Sequence, residues 1–391
     1  MIDRPLFLAA LTLIVIGIVF SYSLSAYTVL LFNTSPTHFL VRQLGAGMIG
    51  IILMWSIARM DPDRGVKWLG LTIFVLSLLM MIAIPFLPES MAHAVGGAKR
   101  WIRLGPVSIA PVEFFKVGFV YFLAWSFSRK IAPKHMGGKR YTLKEEVRML
   151  LPYIIFFAMA MLIIAVFQND LGQVLVLAGT LLFMMVLAGS SFRVFGLVVL
   201  LALMGFVGFI VTSPHRIERF KGWWFLLQNA VAKAFPQWAH TVPKVNLAEE
   251  PYQVANSLHA IHHGGLFGVG LGNGVLKLGF LSEVHTDFVL AGMAEEIGAV
   301  GVMAVTGLLI FVIFRLMKIA GRVENPLYYL FCAGMAMIIG FAFLINALGI
   351  SGVIPLKGIA VPFLSYGGSQ VVALSIGIGI ALSMSKRAKM G

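Results

Sequence analysis

Residues 251–292 bring histidines, a ladder of glycines, a lysine and carboxylates into one polar segment between long apolar runs. Asp287 stands where this segment meets the next apolar run, residues 288–314. A carboxylate so close to hydrocarbon is costly, and acids in that setting usually mark functional sites. Asp is also favoured at the start of a helix, so Thr286 or Asp287 can cap the helix that follows. Asp287 is therefore a candidate general base or ion partner, and the capping role is compatible with it.

A second candidate group is cationic and lies in residues 88–109. Lys99, Arg100 and Arg103 stand close together beside Trp101. Arg recognises phosphate through paired hydrogen bonds, and Lys binds it as a point charge. The group predicts an anionic ligand, whereas the alternative is a set of snorkelling side chains that contact any lipid phosphate.

Further acids accompany these cations. Glu113 and Lys116 are three residues apart in a predicted span, so they share a helix face and can neutralise each other. Because burying such a pair seldom stabilises a protein, a role in handling a ligand or an ion is predicted beside the structural one. Asp170, in the sequence QNDLG, is predicted both to cap the next helix and to belong to the site. Glu295 and Glu296 are expected to pair with a basic residue on a neighbouring helix.

Two patterns in residues 251–292 are weaker than they look. His259, His262 and His263 would share a helix face, but no carboxylate at a matching spacing supports a metal site, and none is predicted. The glycines from Gly268 to Gly274 resemble a nucleotide-binding loop, but the strand and helix of an α/β unit are absent around them. They are expected to let backbone approach backbone or ligand closely.

The composition indicates a polytopic membrane protein. Of the 391 residues, 59% are hydrophobic and only 12% are charged. A spanning helix needs about 20 mostly apolar residues. The sequence predicts an all-α protein with one membrane domain, residues 1–391, and a retained first helix. Its ten predicted spans are residues 5–23, 38–58, 68–86, 111–128, 150–167, 172–188, 194–212, 288–314, 327–347 and 370–385.

The distribution of Lys and Arg predicts the orientation. With ten spans, most basic residues fall in loops on the side that holds both termini, and that side is predicted to be cytoplasmic. The net charge of +14 is thus largely topological, and nucleic acid is not a predicted partner. Other cations fall on the predicted outer side, where they suggest an anionic ligand at the outer leaflet. They are Lys99, Arg100, Arg103, Arg216, Arg219, Lys221, Lys233, Lys244, Lys277 and Lys357.

The outer side also carries the irregular segments. Residues 213–286 form a loop before the eighth span that is far longer than a normal connection and is predicted to be functional or partly structured. Within it, residues 223–238 are predicted to form an interfacial amphipathic helix, and residues 249–263 have helical spacing. Residues 349–370 are rich in Gly and Pro and predict turns or a re-entrant segment.

Several segments together resemble the SEDS family, named for shape, elongation, division and sporulation. The resemblance covers most of the chain, and details such as the lysine of IPLKGIAVPF are more similar to the cell-division branch than to the elongation branch. The matching segments, in the family's order, are GAKRWIRLGP, PVEFFKV, QNDLG, Tyr252–Gln253, GGLFGVGLGN, EVHTDF and PFLSYGGS.

The resemblance implies a peptidoglycan glycosyltransferase of the bacterial cytoplasmic membrane that polymerises lipid II at its outer face. It also implies a class B penicillin-binding transpeptidase and other division proteins as partners. Within the family motifs, the essential aspartate corresponds to Asp287. The family's other charged positions correspond to Arg100, Arg103, Glu113, Lys116 and Asp170. The chain departs from the family at four positions. Asn169 and Ser282 stand where the family usually has Pro, and Val112 and Gln370 stand where it usually has Ser.

This resemblance leads to a mechanistic hypothesis. Asp287 would take the proton of an acceptor sugar hydroxyl, and cations would stabilise the departing pyrophosphate, with inversion at the anomeric carbon. The cations are Arg100, Arg103 and Lys116 or Lys277. A divalent cation, Mg²⁺ or Mn²⁺, can accompany the pyrophosphate, although no ligand set in the sequence demands it. The alternatives are a flippase or transporter for lipid-linked precursors, and a non-catalytic division scaffold.

Overall fold

The computed structural model describes most of the chain. The described residues are 2–31, 35–94, 98–105, 107–130, 142–211, 214–235, 237, 252–356 and 358–389. Lys244 and Lys357 lie outside them, and so do Trp238 and Glu249 from the two helices predicted in the long loop. The side chains of Arg216, Arg219 and Lys233 are likewise outside the described part.

The described part is dominated by α-helices, as the sequence predicts. In chain order they are α1 (Arg4–Ser23), α2 (Ala26–Leu31), α3 (His38–Arg59), α4 (Gly65–Ala83), α5 (Pro111–Lys130), α6 (Leu143–Leu162), α7 (Leu171–Leu187), α8 (Phe192–Val211), α9 (Pro214–Ala234), α10 (Tyr252–Gly264), α11 (Val289–Ala320), α12 (Pro326–Ile350) and α13 (Gly368–Ser385). Short 3₁₀ and π-helical turns follow α4 and α6 at Ile84–Phe86 and Ile163–Phe167.

Each of the ten predicted spans coincides with one of these helices. Within the described residues, seven helices are long and apolar enough to cross a membrane: α1, α3, α4, α6, α11, α12 and α13. The apolar helices α7 and α8 and the charged helix α5 account for the other three predictions. The predicted division between residues 167 and 172 is confirmed, because α6 and α7 are separate helices.

The core lies where α13 and α12 are surrounded by the other helices. Most residues of α13 are buried, and its sequence of small and β-branched residues allows neighbouring helices to approach closely. Large aromatic side chains such as Tyr121, Phe331 and Phe363 fill the space around it. By contrast, α4 and α8 leave many apolar side chains exposed, as expected for helices that face lipid.

The two described ends of the chain lie together at one end of the bundle. The backbone N–H of Asp3 donates to Ser385 Oγ at 3.1 Å, and Arg315 pairs with the Asp3 carboxylate. Lys386 donates to the carbonyl of Met60 at 2.5 Å, which caps the end of α3. Helices such as α1, which begin at the end of the bundle that holds both chain ends, extend to the opposite end. The polar segments lie at that opposite end.

A small β-hairpin departs from the purely helical prediction. Strands β1 (Ile102–Leu104) and β2 (Val107–Ile109) pair antiparallel, with Arg103 opposite Ser108. The hairpin is fixed to the start of α13, because Ser369 Oγ accepts from the backbone N–H of Ala110 at 2.9 Å. The loop that carries Lys99, Arg100 and Arg103 is thereby held at the polar end of the bundle.

The long loop before α11 is partly helical, as predicted. Its helices α9 and α10 fold back onto the end of α12. Trp223 Nε1 donates to the carbonyl of Gly352 at 3.0 Å, and Ser257 Oγ donates to the carbonyl of Ile350 at 2.7 Å.

The helix α11 is broken at Gly298, whose φ of 67° is not helical. Its freed backbone groups pair with the glycine-rich segment after α10. Val269 N donates to the carbonyl of Glu295 at 3.0 Å, and Ala299 N donates to the carbonyl of Gly265 at 2.9 Å. A Cβ atom at Gly268 would lie 2.2 Å from the Glu296 carbonyl oxygen, so only glycine allows this approach. The predicted role of the glycines in close backbone packing is confirmed at Gly268, whereas Gly272 has open space at its Cβ position.

Candidate active site

The turn between α6 and α7 is strained and supports the first part of the site. A π-helical turn ends at Phe167, and Asn169 then takes a left-handed conformation with φ of 47°, which is uncommon outside glycine. Asp170 caps α7, because its Oδ1 accepts the backbone N–H of Gln173 at 3.2 Å. The predicted capping role of Asp170 is confirmed.

Arg100 holds this turn in place. Its Nε donates to the carbonyl of Gln168 at 2.7 Å, and its Nη2 donates to the carbonyl of Asn169 at 2.9 Å. Arg has five N–H donors, so these two bonds leave donors for a ligand. The guanidinium therefore joins the cationic loop to the turn that carries Asp170.

A buried charge pair lies beside the turn. Lys116 Nζ is 2.8 Å from Glu113 Oε2 on one face of α5, as their spacing predicts. Gln173 Nε2 donates to Glu113 Oε1 at 3.2 Å, which ties α7 to the pair. The other amide atom, Gln173 Oε1, is buried and has no partner among the described residues. Unsatisfied buried polar atoms are rare in native proteins. This one belongs to a side chain that is bonded to the Glu113–Lys116 pair.

Burial raises the pKa of the Asp170 carboxyl, and the nearby Glu113 adds to that effect. The charges of Arg100 and Lys116 and the bond from Gln173 oppose it. The structure therefore brings Arg100, Glu113, Lys116 and Asp170 into one electrostatic group.

Asp287 lies just before α11, at the same end of the bundle. Its backbone carbonyl accepts Asn346 Nδ2 at 2.6 Å, and the same Nδ2 donates to the carbonyl of Ile359 at 2.5 Å. Its carboxylate lies against Gly358, where a Cβ atom would stand 2.8 Å from Oδ2. The end of α12 and the segment after it thus hold both the backbone and the side chain of Asp287.

The two residues that precede Asp287 are fixed by the segment before α13. Ser365 Oγ donates to the carbonyl of Thr286 at 2.6 Å, and the backbone N–H of Tyr366 donates to the carbonyl of His285 at 2.8 Å. Gln43 on α3 in turn accepts the N–H of Gly367 at 3.2 Å. Residues 285–287 are therefore anchored to three other parts of the bundle.

The environment of Asp287 raises the pKa of its carboxyl from 3.8 to about 7. Burial is the largest cause, because it disfavours the charged form. The negative charges of Glu283 and Asp170 raise the pKa further, and Arg100 lowers it. Asp287 thus interacts with the Arg100 and Asp170 group, and it can exchange a proton near neutral pH.

His285 is a buried neighbour with a different character. Its ring packs against Phe39 and Tyr366, with ring centroids 5.1 and 5.7 Å away. Burial lowers the pKa of His285 and so favours its neutral ring, although the charge of Glu283 opposes the effect. His285 is thus better suited to packing than to balancing the charge of Asp287.

The other predicted cations are placed differently. Lys99 Nζ donates to the carbonyl of Leu87 at 2.9 Å, and Arg103 is exposed on β1. Lys357, predicted to bind substrate, lies outside the described residues.

Lys277 is in a buried ion pair and not in the group around Arg100. Its Nζ is 2.6 Å from Glu296 Oε1 and donates to the carbonyls of Gly272 and Ser23 at 2.6 and 3.0 Å. These three partners use the three donors of an ammonium group. These partners favour a structural role for Lys277, and its role as a substrate ligand stays a prediction. Glu296 has a basic partner, as expected, but Lys277 lies in the segment before α11 and not on a neighbouring helix.

The predicted pairing of Glu295 takes another form. Glu295 Oε1 accepts the backbone N–H of Val275 at 2.7 Å and lies 3.0 Å from His263 Nδ1. Within the described part of the chain, no three His, Cys, Asp or Glu side chains come together as a metal site.

Several residues of this site were missed by the sequence analysis. Asn346, Gln173 and Glu283 all contact or influence the predicted acids. Asn346 had a readable signal, because it is the only carboxamide or charged residue in the sequence of α12. Gly358 and Asp287 are 71 positions apart in the sequence, so no local sequence pattern predicts their contact.

The helices and this site define a multi-pass helical membrane protein with a charged cluster at one end of its bundle. The chain belongs to the family of FtsW, RodA and SpoVE, described as cell cycle proteins, whose model matches residues 4–390.

Curated relatives span the full chain. It is 45% identical over 388 residues to a probable peptidoglycan glycosyltransferase FtsW of Helicobacter pylori, with 99% of each chain covered. It is 31% identical over 386 residues to the stage V sporulation protein E of Bacillus subtilis, with 98% of this chain and 97% of that protein covered.

Solved structures share the fold. A chain of a peptidoglycan synthase complex, studied for the coordination of polymerization and crosslinking, matches with a TM-score of 0.69 at 23% identity, covering 99% of this chain and 98% of that one. The rod shape determining protein RodA of Thermus thermophilus matches with a TM-score of 0.63 at 22% identity, covering 100% and 99%.

Proposed function

We propose that this chain is a peptidoglycan glycosyltransferase that polymerises lipid II into glycan strands at the outer face of the bacterial cytoplasmic membrane, during septal wall synthesis. One observation carries the proposal. An aspartate with a pKa near 7 interacts with Arg100 and the charged group around Asp170, at the end of the bundle opposite the chain termini. The 45% identical relative named as a peptidoglycan glycosyltransferase supports the reaction class.

Asp287 acts as the general base. A base is most effective when its pKa is near the working pH, because it is then both deprotonated and basic enough. Its carboxylate takes the proton of the acceptor sugar's C4 hydroxyl. The oxygen then bonds to the anomeric carbon of the donor, and the bond from that carbon to the pyrophosphate oxygen breaks. The direct displacement inverts the anomeric centre.

The cations handle the charge that develops on the leaving pyrophosphate. Arg100 has donors left after binding the carbonyls of Gln168 and Asn169, and Arg103 is exposed on β1. Fixed positive charge in a site shielded from water stabilises a departing anion strongly. The proposed substrate-binding set is Lys99, Arg100, Arg103, Glu113, Lys116, Asp170 and Lys357. Any divalent cation would enter with the pyrophosphate as part of the substrate.

The proposed orientation follows from the charges at the terminal end of the bundle. Arg59, Lys318 and Lys386 belong to this end, together with Arg64, Lys67, Arg315, Arg322, Arg387 and Lys389. Basic residues in short loops favour the cytoplasmic side. In this proposal both termini are cytoplasmic, and the site and the 213–286 loop are on the outer side of a single membrane domain, residues 1–391.

A class B penicillin-binding transpeptidase is the proposed principal partner, with other division proteins around it. The similarity of fold to a chain of a synthase complex that couples polymerization and crosslinking supports this pairing.

The decisive experiment incubates the purified full chain with lipid II, with and without its cognate transpeptidase, and resolves the glycan products on a gel. We expect strands that grow with time and disappear in Asp287→Asn. Lipid II transfer across vesicles without polymer would instead indicate a flippase. Full support of division by Asp287→Asn in cells would indicate a scaffold.

A further inference from the structure

Asn346 connects the two chain segments that enclose the Asp287 carboxylate. It lies four residues before the end of α12 and is 3% exposed. Its Nδ2 donates to the carbonyl of Asp287 at 2.6 Å and to that of Ile359 at 2.5 Å. A carboxamide nitrogen carries two N–H donors, so both bonds can form at once.

The second segment is the one that the carboxylate itself touches. Gly358 precedes Ile359 directly, and its backbone comes so close to Asp287 Oδ2 that a Cβ atom would be 2.8 Å away. Asn346 therefore fixes the backbone of Asp287 relative to the surface against which the Asp287 side chain packs. The position of Oδ2 follows from these two constraints.

We propose that Asn346 is a positioning residue for the glycosyl transfer, acting through Asp287. This inference rests on the proposed function of Asp287 as the general base. Asn346 does not touch substrate in this role. It holds the carboxylate where the acceptor hydroxyl has to arrive, and errors of about 1 Å in such geometry can cost roughly 100-fold in rate.

The chain offers a closely matched control in Gln370. Its carboxamide is equally buried, at 4% exposed, and its Nε2 donates to the carbonyl of Ala360 at 3.0 Å in the same segment. Its amide oxygen is buried and unpartnered within the described residues, as is that of Asn346. Gln370 differs in having no described bond to Asp287. Comparing the two separates positioning of Asp287 from general order in residues 358–361.

The test compares Asn346→Leu and Gln370→Leu in the full chain with its transpeptidase partner. For Asn346→Leu we expect kcat to fall by about 10- to 100-fold while KM changes by less than about 3-fold, because the lost interaction matters mainly in the transition state. For Gln370→Leu we expect kcat within about 3-fold of the wild type. Equal losses in both variants, or an unchanged kcat in Asn346→Leu, would overturn the proposal.

A pH profile gives a second readout that a purely structural role would not change. Loosening residue 287 should admit water around its carboxyl, so the acid limb of kcat/KM should move to lower pH in Asn346→Leu and stay in place in Gln370→Leu. If Asn346→Leu does not accumulate as folded protein, Asn346→Ser takes its place. Failure of both to accumulate, while Gln370→Leu does, would assign Asn346 to folding and end the proposal.

The proposed function itself is checked separately. If the wild type makes no polymer from lipid II with its partner, the function fails before Asn346 is tested. If the wild type polymerises and Asn346→Leu does so equally well, only the positioning role fails.

Discussion

The carboxylate of Asp287 lies directly against the backbone of Gly358, with room for a hydrogen there and none for a methyl group. Gly358 also has a φ of 57°, a conformation that costs other residues roughly 1–2 kcal/mol. This contact leads to the first prediction.

Gly358→Ala should sharply reduce polymerisation, because its Cβ would push Asp287 Oδ2 from its position. Gly272→Ala is the control, since Gly272 also has a positive φ, of 86°, but has nothing within 4 Å of its Cβ position. Both variants carry the backbone cost, so thermal midpoints should fall similarly. Equal rates of lipid II use in the two variants would contradict the prediction.

Asp287→Asn should insert and fold normally yet lose polymerisation by at least about 100-fold, which is the typical contribution of a general base. The amide keeps the shape and removes the proton acceptor. Glu324→Gln is the control, because Glu324 is an exposed acid at the terminal end of the bundle. Strands of normal yield and length from Asp287→Asn would rule out this residue as the base.

The activity should depend on pH through Asp287. Its pKa of about 7 places the acid limb of kcat/KM near pH 7, with activity rising as the carboxyl loses its proton. Because the pKa of Asp287 is raised above 3.8 in the folded protein, its carboxyl contributes to the free energy of unfolding. This contribution is fully present below about pH 4 and is lost as the pH rises through 7.

Glu283→Gln should shift this limb to lower pH. Among the neighbouring charges, that of Glu283 raises the pKa of Asp287 most. Gln preserves an acceptor for Thr286 Oγ1, which lies 2.8 Å from Glu283 Oε2. At pH 6 the variant should therefore be more active, relative to its own maximum, than the wild type. A limb that stays in place would show that another group controls it.

Asn169→Pro should destabilise the protein, although the SEDS family usually has proline at this position. Proline fixes φ near −65°, whereas Asn169 has a φ of 47°, and enforced strain of this kind costs on the order of 1–3 kcal/mol. Asn169→Gly should be neutral, because glycine accepts the left-handed conformation. Thermal unfolding in detergent measures both, and an unchanged midpoint in the proline variant would refute the expected cost.

Lys277→Met should be strongly destabilising, because it leaves Glu296 charged and buried, at a cost of about 3–5 kcal/mol. Adding Glu296→Gln should recover part of the loss, since the uncompensated charge is then removed. A double-mutant cycle of unfolding free energies gives the coupling. Additive effects of the two changes would show that the pair does not interact.

The helices were predictable because long apolar segments in a membrane protein have few alternatives to helix. All ten predicted spans correspond to helices, and the capping role of Asp170 was readable from its place before an apolar run. The β-hairpin of residues 102–109 was missed, because two strands of three residues carry almost no periodic signal.

The site was only partly predictable. Charged residues in apolar surroundings stand out, so Arg100, Glu113, Lys116 and Asp170 were predicted, and the structure brings them into one electrostatic group. The same rule led to Lys277, which has a buried ion-pair partner that only the folded chain reveals. Gly358 acts through a contact between distant segments that the sequence does not reveal. Asn346 is the only carboxamide or charged residue of α12, but its sequence does not show that it bonds to Asp287.

The break in α11 has a mechanical consequence. The helical hydrogen bonds that Gly298 interrupts are replaced by bonds to residues 265–270. The part of α11 before Gly298 is therefore hydrogen-bonded laterally to the glycine-rich segment. Asp287 lies just before the start of this part of α11. A change in the tilt of this part of α11 would therefore move Asp287 and strain the hydrogen bonds to residues 265–270.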